Sequence, residues 1–99
     1  MTFTFTAELW LWDARQAESW VFVTVPPEPS EEIAERSAQA PRRGFGSVKV
    51  HATIGTSSWS TSVFPNAAGA GYVLPVKKAV RTREGVETGD SVRVTLRLL

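Results

Sequence analysis

The sequence predicts a small, mainly β barrel of six or seven short strands with two short helices. Apolar and polar residues alternate with period two through most of the chain. Clusters of Gly, Pro, Asn and Asp break that alternation into short segments. Helical spacing is confined to two short stretches, residues 31–38 and 76–81, so neither a helical bundle nor a doubly wound sheet is supported. With 99 residues, the chain is read as one domain, 1–99, large enough to hold a core without staples.

Each element follows from its local pattern. Phe3, Phe5, Ala7, Leu9 and Leu11 share one face of a first strand, and Thr4, Thr6, Glu8, Trp10 and Trp12 share the other. Residues 13–19 form a polar turn. The apolar run 20–25 suits a strand buried on both faces, and Pro26, Pro27 and Pro29 stop it. Ser30 reads as the N-cap of a short helix over 31–38, with Glu31 and Glu32 placed well for the helix dipole and Ile33 as anchor. After a loop over 41–46 comes a strand over 47–54, with Val48, Val50, Ala52 and Ile54 facing in. Gly55-Thr56-Ser57 turns the chain into a strand over 58–64, whose Trp59, Thr61 and Val63 share a face. A loop of small residues over 65–71 leads to a strand over 72–74 that Pro75 ends. Residues 76–81 make one or two helical turns with Val76 and Val80 on one side, and Gly85 is the stop. Gly89-Asp90 turns into a last strand, where Val92, Val94, Leu96 and Leu98 alternate with Arg93, Thr95 and Arg97.

Composition excludes several chemistries. The absence of cysteine removes disulfides, Fe–S clusters, thiolate zinc and a Cys nucleophile. One His rules out a two-His metal site within a chain, so no metal and no cofactor are expected. No apolar run approaches the roughly 18 residues of a membrane span, and residues 2–6 alternate as a strand rather than a leader. The expected address is cytoplasmic, with no membrane partner. A net charge of +1 conceals a division: residues 1–40 carry seven acids against two bases, and residues 41–99 carry nine bases against three acids. Such segregation either steers an anionic partner or draws two halves together.

The chain also repeats an order of elements. Residues 20–54 and 72–99 both read strand, Pro, helix, turn, then Ser-Val-(Lys/Arg)-Val in a second strand, with Pro26 matching Pro75 and Ser47 matching Ser91. This is the pattern of a degenerate duplication around a pseudo-two-fold axis.

The stretch 72–94, together with Trp20-Val-Phe-Val, Pro26, Arg43-Gly-Phe, Thr53-Ile-Gly, Trp59-Ser-Thr-Ser, Phe64-Pro and Gly71-Tyr, resembles domain-of-unknown-function family 1905. The resemblance covers nearly the whole chain. It implies a bacterial double-split β-barrel of two pseudo-symmetric halves. Some members carry the domain beside a C-terminal segment associated with bacteriocin resistance; these residues include no such segment. More distantly, Leu74-Pro75, Arg81, Gly85-Val86, Gly89-Asp90 and Val92 resemble the half-site of AbrB/MazE-like swapped-hairpin regulators, which build a barrel from two chains and grip DNA. The first half departs from that pattern, lacking the Gly-Asp pair and holding most of the acids.

Arg42, Arg43, Lys77, Lys78 and Arg81 are the candidates for holding an anion, since Arg grips carboxylate or phosphate with paired hydrogen bonds and Lys adds a mobile charge. The alternative is a solvated helix face with Arg81 tied to Asp90 or Glu84. Trp59, Ser62 and Tyr72 complete a candidate site where the 42–45 loop, residues 59–62 and the 77–81 helix converge. The aromatics Trp10, Trp12, Trp20, Trp59 and Tyr72 either pack in the core or its rim or form a stacking platform for a ring, sugar or base. Trp10 and Trp12, opposite in parity to the Phe3–Leu11 face, either meet a second covered sheet face or line an exposed groove. His51 stands without a carboxylate near it in sequence, and Ser57, Ser58, Ser60 and Ser62 form a polar strand rather than a nucleophile elbow. Asp90 reads as a turn cap. No spacing singles out a catalytic pair, so binding rather than transformation is expected: a small anionic molecule or peptide first, a nucleic acid second, and a metal-free, cysteine-free enzyme third. The chain would act as a monomer or homodimer.

Overall fold

The computed structural model of the chain describes residues 2–13, 19–39, 46–66 and 71–99. Within these described residues, seven strands and two helices follow one another as β1 (Thr2–Glu8), β2 (Trp10–Asp13), β3 (Ser19–Thr24), α1 (Pro27–Gln39), β4 (Val48–Ile54), β5 (Ser57–Pro65), β6 (Tyr72–Pro75), α2 (Lys78–Glu84) and β7 (Ser91–Leu98). All pair antiparallel in one sheet of order β1-β7-β4-β5-β6-β3-β2. The expected mainly β, barrel-like plan is the observed one.

Curling of the sheet is forced by connectivity. β1 and β2 stand at opposite ends of the order, which in a flat sheet would separate them by about 29 Å. A single residue, Leu9, joins them, and one residue reaches only about 3.5 Å. The sheet therefore bends into a half-barrel whose ends are drawn together at Leu9, which is fully buried. β1 also lies against β3. Leu9 is held there from both sides of its backbone: its amide donates to the Asp90 carbonyl at 2.9 Å and its carbonyl accepts from the Gly89 amide at 2.8 Å.

Inward residues of β3, β4, β5, β6 and β7 meet Leu9 and, from α1, Ile33 in one core of Leu9, Val23, Ile33, Val50, Ala52, Val63, Leu74, Val94 and Leu96, all without solvent access. Each of the larger members contributes about 1.5–3 kcal/mol by leaving water. Phe3, Phe5 and Ala7 of β1 pack on its margin, half-buried. Leu11 does not continue their face: it is 48 % exposed, because the bend at Leu9 separates its strand from β1. β3 is likewise one-sided. Val21, Val23 and Val25 are buried while Trp20 and Thr24 are exposed, so burial on both faces, expected for 20–25, is not what the strand adopts.

Helix α1 begins at Pro27, three residues before the expected Ser30 cap. Pro suits a first helical position because its missing N–H has no partner there, and Pro26 accepts the first helical bond from the Ser30 amide at 3.0 Å. Ser30 instead sits buried inside the first turn. Its hydroxyl donates to the Val25 carbonyl at 3.1 Å and accepts from the Tyr72 amide at 3.2 Å, fastening α1 to β6. α2 ends as the sequence predicts: Gly85 is left-handed (φ +67°). Its amide donates to the Thr82 carbonyl at 3.3 Å, and the Val86 amide donates to the Arg81 carbonyl at 3.0 Å, the paired bonds of a Schellman stop. Asp90 caps a turn as expected, accepting from the Glu87 amide at 2.8 Å.

The two strand–helix–strand units meet through antiparallel pairs, β3 with β6 and β4 with β7. Two further bonds extend the first seam: Val25 N–H to the Tyr72 carbonyl and Val76 N–H to the Val21 carbonyl, both 2.9 Å. Exchanging the units converts one bond into the other if Val25 corresponds to Val76. The helix starts, Pro27 and Lys78, then correspond as well. That equivalence lies two residues away from the Pro26–Pro75 match read from the sequence.

Candidate functional site

A groove arises where β5 and β6 part company. β5 pairs with β4 over residues 57–63 but with β6 only at Phe64 and Pro65. Beyond that point β6 follows β3 instead, through Leu74 with Val23 and Pro75 with Phe22. Pro75 has no N–H to offer a strand on either side. The Trp59, Thr61 and Val63 backbones pair toward β4, so by antiparallel alternation those of Ser58, Ser60 and Ser62 face the gap.

Helix α2 covers part of this gap. Val80 is buried beneath it, and Glu84 fastens its C-terminal end to the β4–β5 turn. The Glu84 carboxylate accepts from the Ser57 hydroxyl at 2.6 Å, the Thr56 hydroxyl at 3.0 Å and, at 3.4 Å, the Thr56 amide. Chiefly through the Ser57 bond, its pKa is held below the ordinary glutamate value. A carboxylate near the C-terminal end of a helix is disfavoured by the helix dipole, so these donors hold it against that bias.

The uncovered part is a groove of about 350 Å³ lined by Trp20, Val21, Trp59, Ser60, Thr61, Pro75, Val76, Lys77, Lys78 and Arg81. Trp59 is half-buried against the core and stands opposite Ala52 in the β4–β5 ladder, a small neighbour that leaves room for the indole. Lys77 and Lys78 are exposed and Arg81 half-buried. The Arg81 Nε–H donates to the Val76 carbonyl at 3.1 Å, which fixes the guanidinium plane; Arg81 is thus tied to backbone rather than to Asp90 or Glu84.

Of the candidates drawn from the sequence, this groove brings together Trp59, Lys77, Lys78 and Arg81. Tyr72 is only 8 % exposed and borders a different cleft, beside Ser30 and Pro26 of the α1 side. Ser62 stands opposite Lys49 outside the lining, where Ser60 takes the expected place. Arg42 and Arg43 lie outside the described residues. Trp20 reads from the sequence as a packing or stacking aromatic but not as a member of the anion site. The signal was present in the parity of β3, where Thr24 shares a face with Trp20 and Phe22 and marks that face as outward.

That outward face continues into a second groove of about 600 Å³, lined by Trp10, Trp12, Trp20, Phe22, Phe64, Pro65, Asn66 and Val73. The β2–β3 register sets Trp12 opposite Trp20 and Trp10 opposite Phe22. Trp10 and Phe22 ring centroids are 5.3 Å apart and tilted by 36°; those of Trp20 and Phe22 are 6.2 Å apart and nearly parallel at 12°. The Trp10 indole N–H donates to the Thr24 hydroxyl at 3.0 Å. Trp12 and Trp20 remain 50 % and 48 % exposed, so the indoles of β2 and β3 line an open groove. A third groove, of about 490 Å³, lies between β1 and α1 and is rimmed by Glu28, Glu31, Glu32 and Glu35.

Among the described residues no group of three His, Cys, Asp or Glu side chains is placed to hold a metal, and no helix is long and apolar enough to cross a membrane. Fold and grooves together define a class: a small curled antiparallel sheet in which two helices cover the places where the strands divide. The chain matches the family described as Domain of unknown function (DUF1905) over residues 5–96, and it belongs to that family. No curated protein matches it.

Proposed function

We propose that the chain is a binding module for a small anion or the acidic end of a peptide, held in the β5–α2 groove. The observation that carries this reading is the convergence of Lys77, Lys78 and Arg81 on a groove lined by Trp59 and, among the described residues, by no carboxylate. Lys78 and Arg81 are three apart on one helix, where like charges repel and destabilise. Both lysines also stand at the end of α2 where its dipole disfavours cations, and the first turn holds no acid. A local electrostatic conflict of this kind is expected at functional positions. Arg81, with its guanidinium fixed through Nε, is prepared for paired hydrogen bonds to a carboxylate or phosphate.

The test is calorimetric titration with pyrophosphate and with succinate at low and moderate salt. The double variant Lys77→Ala with Arg81→Ala is titrated alongside. Saturable binding that the double variant loses supports the proposal; equal binding by both proteins, or none by either, overturns it.

A second reading, nucleic-acid binding, draws support from Lys49 of β4 and Arg93 and Arg97 of β7, which project from the outer sheet face beside His51. Phosphate contacts there would make affinity fall steeply with salt. Duplex retention at low salt that Arg93→Glu with Arg97→Glu abolishes is the outcome in its favour; no retention at low salt dismisses it.

A further inference from the structure

We infer that the anion of the β5–α2 groove belongs to a molecule with a flat aromatic body, which lies across Trp20 onto the aromatic groove of β2 and β3. This rests on the reading of the basic groove given above and adds the class of ligand.

Trp20 lines both grooves. The bond from Val76 N–H to the Val21 carbonyl carries the β3–β6 ladder past Pro75, which brings Lys77 alongside Trp20. From Lys77 across Trp20 to Trp12 is two strand spacings, about 10 Å, so a charged group over α2 and a body of about two fused rings over the indoles fit one molecule. Charge decides the sign: among the described residues the lining of neither groove includes a carboxylate, and the cations of the pair lie at the α2 end. Ring geometry favours a flat body. Trp20 and Phe22 are nearly parallel, and Trp10 is fixed by its bond to Thr24, so little order is lost when a ring stacks on the platform. Half-exposed Trp12 and Trp20, together with Phe64 at 38 %, form the kind of contiguous apolar surface that marks an interaction site. Both grooves fall in the size range of small-molecule sites.

The experiment compares methanesulfonate, 2-naphthalenesulfonate and octyl sulfate by calorimetry on the wild-type chain, on Lys77→Ala with Arg81→Ala, and on Trp12→Ala. The naphthalene compound is expected to bind at least tenfold more tightly than either of the others. Trp12→Ala, a change outside the anion groove, loses that advantage and keeps the affinity for methanesulfonate, while the basic variant weakens all three. Equal affinity for methanesulfonate and naphthalenesulfonate, both dependent on Lys77 and Arg81, overturns the aromatic inference and leaves the anion site standing. Octyl sulfate matching naphthalenesulfonate overturns it too, since a flexible chain then serves as well as a flat ring. Binding indifferent to Lys77 and Arg81 removes the anion site and the inference together. Should the tryptophan variant fail to fold, magnetisation transfer between naphthalene protons and the Trp12 and Trp20 indoles in the wild-type protein decides: contacts support the placement, and their absence at saturation overturns it.

Discussion

Alanine at Gly55 and alanine at Gly85 offer a matched pair of perturbations. Both glycines are left-handed, at φ +59° and +67°, where a side chain costs about 1–2 kcal/mol. The gain from a stiffer unfolded chain is common to both and cancels in the comparison. Their surroundings differ. Among the described residues nothing lies within 4 Å of a Cβ at position 85, whereas a Cβ at position 55 would overlap the Glu84 carboxylate. Gly55→Ala therefore adds to the backbone cost the displacement of Glu84 from Thr56 and from buried Ser57. Gly85→Ala is expected to lower stability by about 1–2 kcal/mol, with Tm falling by about 4–8 °C for each kcal/mol. Gly55→Ala should lower it further. In a Glu84→Ala background the cost of Gly55→Ala should drop to that of Gly85→Ala, because the obstructing carboxylate is gone. Urea unfolding followed by tryptophan fluorescence on the single and double variants gives the coupling directly. A Gly55–Glu84 coupling within the about 0.5 kcal/mol expected of independent sites, or equal costs for the two glycine variants, would refute the clasp between α2 and the β4–β5 turn.

Three more outcomes are expected. Leu9→Ala should cost about 3–5 kcal/mol while Leu11→Ala stays within about 0.5 kcal/mol; similar urea midpoints for the two would contradict the bend at Leu9. Ser30→Ala deprives the Tyr72 amide of its acceptor and should cost about 1–3 kcal/mol, with faster hydrogen exchange at Tyr72; unchanged exchange there would deny Ser30 its fastening role. The lowered pKa of Glu84 means that its contribution is complete above the unfolded value of about 4.3 and is lost as pH falls through the lower folded value. The stability difference between wild type and Glu84→Gln should thus shrink from pH 5 toward pH 2, and a difference that stays constant across that range argues against the clasp.

Period-two alternation located the strand segments, although it ran β1 and β2 together, because it reports a local property, the pleat that sends Val50, Ala52 and Ile54 one way and Lys49, His51 and Thr53 the other. What it could not report is which face water reaches. The run 20–25 reads as two-sided because Trp20 and Phe22 are as apolar as Val21 and Val23, yet among the described residues no element covers the Trp20 face, and only Thr24 marks it as outward. Ser30 failed as a cap for a similar reason: its role depends on Tyr72, 42 residues away, and no pattern within a helix shows a partner at that distance. Lys77, Lys78 and Arg81 were legible as a cluster of cations within five residues, and Trp59 through strand parity. Joining them to Trp20 required knowing that β6 leaves β5 after two pairs.

The division of charge acquires a location. Exchanging the β3–α1–β4 and β6–α2–β7 units maps β1 onto the first part of β5, since these are the outer neighbours of β7 and β4. The groove beneath α1 and the groove beneath α2 are then the same place in two halves. One is rimmed by four glutamates and the other by Lys77, Lys78 and Arg81. Had opposite charge served to hold the halves together, it would be expected along the seam. The seam is instead apolar on its inner face, with Val23 against Leu74 and Ala52 against Leu96, while the acids of α1 are exposed on their own helix. The fold explains why a groove exists in each half, because each half has a strand that divides between two partners. Charge is what distinguishes them. Replacing Lys77, Lys78 and Arg81 by glutamate gives the α2 groove the character of the α1 groove without touching the core, so any anion selectivity that resides in the groove must disappear while the unfolding midpoint holds.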